Sequence, residues 1–173
     1  MKCIIEVLRG NKMNNEYLII RKAVKEDIPE ILRLLSQVLE IHADIRPDIF
    51  VHRTTKYSES ELEKIISDEN TPVYAAFSDG KFAGYCFCEI KEMPERDYFR
   101  PFRYVYIDDL CVDETMRGKH IGSALFEFVK NEARALGAYE ITLHVWEGNN
   151  KAKVFYDRLG FTPQSYTMEY KLD

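Results

Sequence analysis

Arg117, Gly118, Lys119, His120, Ile121, Gly122 and Ser123 form one run, RGKHIGS, between the β-formers YVYIDDLCV and the apolar-periodic stretch SALFEFVKNEARALG. A strand that stops, a turn containing glycine and a helix that begins leave several backbone N–H groups without acceptors at the positive end of a helix dipole. Phosphate is the ligand such a place attracts. Arg117 and Lys119 add charge-assisted donors beside it. Spacing excludes two familiar phosphate loops, because the chain has neither GxxxxGK[ST] nor GxGxxG followed by an acidic residue. The plainer reading is that Gly118 and Gly122 only ease a tight turn and helix packing.

A second run, Asn149 to Phe161, reads NNKAKVFYDRLGF. Ala152, Phe155, Tyr156 and Leu159 share one helical face by their spacing of three and four. Asn149 stands where an N-cap belongs, and Gly160 turns the chain so that Phe161 packs back. Tyr156 is either a half-buried core aromatic or a positioned proton donor. Titratable residues lie between the two runs and beside them. His144, with an ordinary pKa near ~6.5, accepts a proton near neutrality or is a surface histidine. Asp108 and Asp109 are adjacent on a strand, so they face opposite ways unless a bulge intervenes.

The elements that must hold these residues follow from periodicity. Residues 17–22 read as a strand, and Lys25, Glu26 and Asp27 open a helix carrying Ile28, Ile31, Leu32, Leu35, Val38 and Leu39 at helical spacing. A long loop, HADIRPDIFVHRTTKY, follows and is either a functional lid or a connection. Ser58 with Glu61 forms a capping box for the next helix. The strands PVYAAF and FAGYCFCEI are joined through Asp79 and Gly80, whose positive φ values suit a tight hairpin. After the polar excursion KEMPERDYFRPF come a strand over 103–112, the helix after RGKHIG, a strand YEITLHVW, the helix of the second run and a final strand near 165–172. Strands alternate with helices without repeats, so one mixed α/β domain is expected over 13–173, with residues 1–12 a leader.

Composition narrows the partners. The 173-residue chain is 46% hydrophobic, enough for a substantial core. Its 24 basic and 29 acidic residues give a net charge of −5, which argues against a nucleic-acid binder and suits a cationic small molecule. Cys3, Cys86, Cys88 and Cys111 lack metal-ligand spacing, and no secretory signal precedes them, which suggests a reducing cytoplasm and no metal. No apolar run approaches the ~20 residues that span a bilayer.

Residues 107–128 and 143–161 resemble the acyl-CoA-binding core of the GNAT superfamily of N-acetyltransferases. The shared pattern is Arg/Gln-x-x-Gly-x-Gly/Ala after a strand ending Leu-x-Val, then Asn-x-x-Ala-x-x-Phe/Leu-Tyr-x-x-x-Gly-Phe. The resemblance implies a central, mostly antiparallel mixed sheet of six to seven strands with about four helices. It also implies acetyl-CoA as co-substrate. Residues Arg117, Gly118, Lys119, His120, Ile121, Gly122 and Ser123 would hold its pyrophosphate. Leu110, Cys111 and Val112 would pair with the pantetheine arm as an added strand, one of their N–H groups meeting the thioester carbonyl. Asn149 and Ala152 would line the cofactor, and Tyr156 would protonate the departing thiolate.

For the proton acceptor the resemblance leaves His144 and the aspartates, because the departure at Tyr106 argues against a histone-like site. Tyr106 stands where the histone-modifying branch carries Glu, and His144 matches the place of a catalytic Glu in some protein N-terminal acetyltransferases of the superfamily. Asp108 is the other candidate base, and Asp109 an electrostatic anchor for the amine. Phe50, Tyr98, Phe99 and Trp146 are expected to wall the acceptor pocket. The activity implied is acetyl transfer to a primary amine of a small molecule or peptide through a ternary complex, with a homodimer as a possible assembly. The alternative is a non-catalytic acyl-CoA sensor or partner-binding module. One departure stands out: His120 occupies a position that the pattern gives to glycine. It is tolerated if residue 120 is already helical, and its ring can then lend an N–H to a phosphate.

Overall fold

The computed structural model describes residues 17–172; the expected leader at 1–12 lies outside them. Among the described residues five strands form one sheet in the order β1 (Leu18–Lys22), β2 (Val73–Ser78), β3 (Lys81–Met93), β4 (Phe102–Val112) and β5 (Glu140–Leu143). Neighbours are antiparallel except β4 and β5, which are parallel. Four α-helices flank it: α1 (Ile28–Ile45), α2 (Glu59–Ser67), α3 (Ile121–Ala135) and α4 (Asn150–Arg158).

The sheet divides two cores. On one face Tyr74, Cys86, Cys88, Val105 and Ile107 pack with Leu125, Phe126 and Val129 of α3. On the other, Tyr85, Phe87 and Cys111 pack with Ile31, Leu34 and Leu35 of α1 and Leu62 of α2. Gly84 lets β4 and α3 come close, since a Cβ there would stand 2.5 Å from the Cys111 carbonyl oxygen of β4 and 3.4 Å from Leu125 Cδ1 of α3. The hairpin uses the expected residues, Asp79 at φ 48° and Gly80 at φ 76°. The Ser58–Glu61 capping box is formed, with the Ser58 N–H donating to Glu61 Oε2 at 2.7 Å.

Three boundaries differ from the sequence reading. α1 continues over His42 to Ile45, because Ala43 keeps the buried stripe going, and it stops at the residues before Pro47, where the ring disfavours helical φ and ψ. β5 covers four residues, its pairing with β4 ending at Ile107–Leu143. Residues 165–172 alternate apolar and polar but join no strand ladder, so five strands stand in place of six or seven.

Candidate active site

The site grows from one irregularity in the sheet. Phe87 pairs with Asp109 but Cys88 pairs with Ile107, so Asp108 is an extra residue in β4, a β-bulge. The bulge reverses the alternation. Val105 and Ile107 point to the α3 side, whereas Cys111 points to the α1 side. Asp108 and Asp109 therefore both face α1 and α2: Asp108 Oδ2 accepts from Lys56 Nζ at 2.5 Å and from the Tyr57 hydroxyl at 3.3 Å, and Asp109 Oδ2 accepts from the Tyr85 hydroxyl at 2.8 Å. β4 and β5 also part here. Beyond Ile107 the β4 edge that faced β5 has no strand partner among the described residues, which leaves it open to an added strand over Leu110 and Cys111, while the Val112 carbonyl accepts from Arg117 Nε at 3.2 Å.

β4 leads into the loop. Asp113 is buried, accepts from the Thr115 N–H at 2.9 Å and pairs with Arg33 at 2.7 Å, which fixes where the chain turns. Arg117, Gly118, Lys119 and His120 are exposed, with Gly118 at φ 83° and His120 at φ 60°, ψ 12°. His120 is thus left-handed and not helical as expected, a region that L residues reach at a cost and that Asn, Asp and His enter more readily than most. In that conformation its side chain does not cap α3. The N–H groups of Ile121, Gly122 and Ser123 have no acceptor among the described residues; the first intrahelical bond runs from Ala124 to the His120 carbonyl at 3.0 Å. The two glycines divide the labour. Gly118 supplies the positive φ, whereas a Cβ on Gly122 would stand 3.1 Å from Phe155 Cζ, so Gly122 sets how closely α3 approaches α4.

α4 starts as its sequence dictates: Asn149 Oδ1 caps it, accepting from the Ala152 N–H at 3.2 Å. Tyr156 packs against Phe155 and Phe161 with centroids 5.1 and 5.5 Å away. Its hydroxyl has no hydrogen-bond partner among the described residues. Burial, followed by the charges of Cys86, Asp109 and Cys111, holds its pKa above the ordinary tyrosine value, so the phenol keeps its proton beside β4. Burial pushes Asp109 up to about 6 against the Tyr85 hydrogen bond, which lowers it. Cys111 is pushed up to about 12, again by burial, and is no thiolate nucleophile.

The expected pocket walls separate into two groups. Phe50 and Trp146 meet edge to face at 5.3 Å, with His42 5.1 Å from Phe50 and the Arg46 guanidinium over Trp146. Tyr98 and Phe99 lie apart in the 94–101 excursion, their rings 6.0 Å from one another and both residues bonded to Arg96, with Tyr98 77% exposed. His144 is exposed, and its Nδ1 lies 3.0 Å from the Tyr106 hydroxyl. Sequence reading missed Lys56, Tyr57, Tyr85 and His42. Burial, then the Lys56 charge, lowers the His42 pKa, so it is neutral at pH 7. Lys56 is drawn down by burial, but the Asp108 hydrogen bond and charge prevail and hold it above its ordinary value. Among the described residues no group of three or more His, Cys, Asp or Glu could hold a metal, and no helix is long and apolar enough to cross a membrane.

Several known proteins resemble the chain in sequence or in fold. Glucosamine 6-phosphate N-acetyltransferase of Arabidopsis thaliana is 32% identical over 68 residues, which are 39% of this chain and 44% of that enzyme's length. A 5-NmdU N-acetyltransferase of Pseudomonas phage PaMx11 is 26% identical over 84% of this chain and 87% of its own. A crystal structure of a mutant of the BH1408 protein from Bacillus halodurans is 36% identical, covers 89% of this chain and 99% of its own, and superposes with a TM-score of 0.85. An aminoglycoside acetyltransferase from an uncultured soil metagenomic sample shares the fold at 21% identity and TM-score 0.69, over 90% of this chain and 97% of its own. The sequence pattern of the family described as "Acetyltransferase (GNAT) family" matches residues 35–161, and this chain belongs to that family.

Proposed function

We propose that the protein transfers an acetyl group from acetyl-CoA to the primary amine of a cationic small molecule, by direct attack within a ternary complex. The observation that carries this reading is the β4 bulge, which turns Asp108 and Asp109 to one side of the point where the open β4 edge runs toward the unclaimed α3 N–H groups.

The residues fit a CoA thioester. The N–H groups of Ile121, Gly122 and Ser123, with Arg117 and Lys119 beside them, meet the pyrophosphate, and His120 stands at the mouth of the same turn. Leu110, Cys111 and Val112 hold the pantetheine by main-chain pairing, with Asn149 and Ala152 opposite. When bound, acetyl-CoA supplies an activated acyl carbon with a thiolate leaving group.

The remaining work falls to side chains. An ammonium with an ordinary pKa near ~10 must lose a proton before its nitrogen bonds to the acyl carbon. Asp108 holds that ammonium, taking it in place of Lys56. Asp109, ionised above about pH 6, accepts the proton. His144 is engaged with the Tyr106 hydroxyl and serves in this reading to position that ring, not as the base. Tyr156, which its raised pKa keeps protonated, gives its proton to sulfur as the C–S bond breaks, and the second proton lost by the acylated nitrogen restores the phenol. Phe50 and Trp146 wall the acceptor end, which leaves Tyr98 and Phe99 to a separate surface loop.

The relatives support the class of acceptor, since their names include an amino-sugar phosphate and aminoglycosides as substrates. A thiol-release assay with acetyl-CoA across amino sugars, aminoglycosides, polyamines and peptides tests the reading. Turnover is expected with small polycationic or amino-sugar amines; thiol release with peptides alone would refute the acceptor class.

A further inference from the structure

The chain's own Lys56 lies where the acceptor amine has to lie. Its Nζ donates to Asp108 Oδ2 at 2.5 Å, across 52 positions of sequence, and stands 5.1 Å from the centre of the Tyr57 ring. The backbone on either side of it is held. Before Lys56, the connection between α1 and α2 is tied to Glu40 of α1: the N–H of Arg53, a left-handed residue, donates to Glu40 Oε1, and His52 Nδ1 lies 2.8 Å from Glu40 Oε2. After it, the Tyr57 ring stacks on Phe87 of β3 at 5.9 Å, the Tyr57 hydroxyl donates to Asp108, and Ser58 caps α2. Lys56 is thus presented between two fixed points to the carboxylate that the β4 bulge turns toward α1 and α2. Lys25 and Lys130 differ, since they pair with Glu63 of α2 and Glu127 of α3.

An ammonium on Asp108, with Asp109 beside it on the same face and the open β4 edge just beyond, is what an acceptor needs for attack on the thioester. We propose that Lys56 is itself an acceptor: with acetyl-CoA bound and no free amine present, the chain acetylates its own Lys56 Nζ, an inference that rests on the acetyl transfer proposed above. The step balances without a further reactant. Asp109 takes one proton from the ammonium, the bond from Nζ to the acyl carbon forms, and the C–S bond breaks. Tyr156 gives its proton to sulfur, and the second proton lost by nitrogen restores the phenol. The products are CoA thiol, an amide and one proton that Asp109 returns to solvent. An amide does not pass its acetyl group on, so the event occurs once per chain and is no intermediate of the amine reaction. It also removes the charge that Asp108 held, which leaves that carboxylate to an incoming acceptor. Chemistry from solution disfavours this lysine. Burial draws its pKa down, but the Asp108 hydrogen bond and charge prevail and keep it an ammonium, whereas a thioester is attacked by the free amine.

The test is acetyl incorporation into the full chain. Incubated with acetyl-CoA and no amine, wild type should gain the mass of one acetyl group, placed on Lys56 by peptide mass spectrometry, and K56R should gain none at that position. D109N and Y156F should modify Lys56 at least about 100-fold more slowly, while the slow background at Lys25 and Lys130 is the same in all of these chains. Selective slowing at Lys56 in either variant supports the proposal. Equal rates at Lys56 in wild type, D109N and Y156F report chemistry from solution and overturn it. A rate constant that rises with protein concentration means transfer between copies and overturns it too. So does a bare Lys56 in a chain that turns over added amines. Lys56 acetylated by a chain that turns over no added amine supports the proposal and refutes the acceptor class instead, whereas a chain that acetylates neither overturns both.

Discussion

Replacing Tyr156 by Phe separates chemistry from folding unusually well in this protein. The hydroxyl has no hydrogen-bond partner among the described residues, so its removal abandons no donor or acceptor. The ring contacts with Phe155 and Phe161, at 5.1 and 5.5 Å, remain. Stability should change by no more than about 0.5 kcal/mol, the scatter of substitutions that break no buried interaction. The CoA affinity should also hold, because the α3 N–H groups and the β4 edge are untouched. If Tyr156 is the acid that protonates sulfur, kcat should fall about 100- to 10,000-fold, equivalent to roughly 3–5 kcal/mol of barrier. Thiol release under saturating acetyl-CoA and amine measures kcat, calorimetric titration with CoA measures binding, and a thermal scan measures Tm. A kcat within threefold of wild type would remove Tyr156 from the mechanism. A fall in kcat accompanied by a Tm loss of many degrees would instead make it a packing residue.

Other consequences follow from the same geometry. With Asp109 at about 6 as the base, kcat/KM should rise with pH up to about 6, because the carboxylate is the active form, and D109N should lose that limb together with most of its rate. Stability runs the other way. The folded pKa lies above the unfolded value of ~3.9, so the contribution of Asp109 is full below that value and is lost as pH rises through about 6; denaturant melts of wild type and D109N at pH 4 and 7 read the difference. Gly122→Val forces side-chain atoms toward Phe155, already 3.1 Å from an added Cβ. It should cost about 1–3 kcal/mol and weaken CoA binding as α4 shifts, whereas unchanged melting and affinity would deny the α3–α4 coupling. His120→Gly relieves a left-handed residue, so stability should hold or rise slightly. CoA affinity should fall by up to about tenfold if the ring donates to a phosphate, and equal affinity would make His120 a bystander.

How much of this was legible in the sequence depends on the range of the interaction. The turn between β4 and α3, the Ser58–Glu61 box, the Asp79–Gly80 hairpin and the Asn149 cap are local, fixed by residues within four positions of one another, and all stand where the sequence puts them. Asp108 and Asp109 were legible as a pair but not in direction, because the bulge arises from register with β3, some twenty residues away in the chain. Lys56 reaches Asp108 across 52 positions, a contact no spacing rule announces. His120 kept its place but not its conformation: the pattern showed a side chain where glycine is usual, and a left-handed φ is what that substitution costs. Residues 165–172 have the alternation of a strand but join no ladder, since alternation specifies a face and not the partner that covers it.

The central claim is acetyl transfer from acetyl-CoA to an amine while both are bound beside the β4 bulge. Initial rates of thiol release measured against both acetyl-CoA and a cationic amine acceptor test it most directly. Amine-dependent release with intersecting double-reciprocal lines is the predicted result. Tight CoA binding without amine-dependent release, or parallel lines that report an acetylated enzyme, would contradict it.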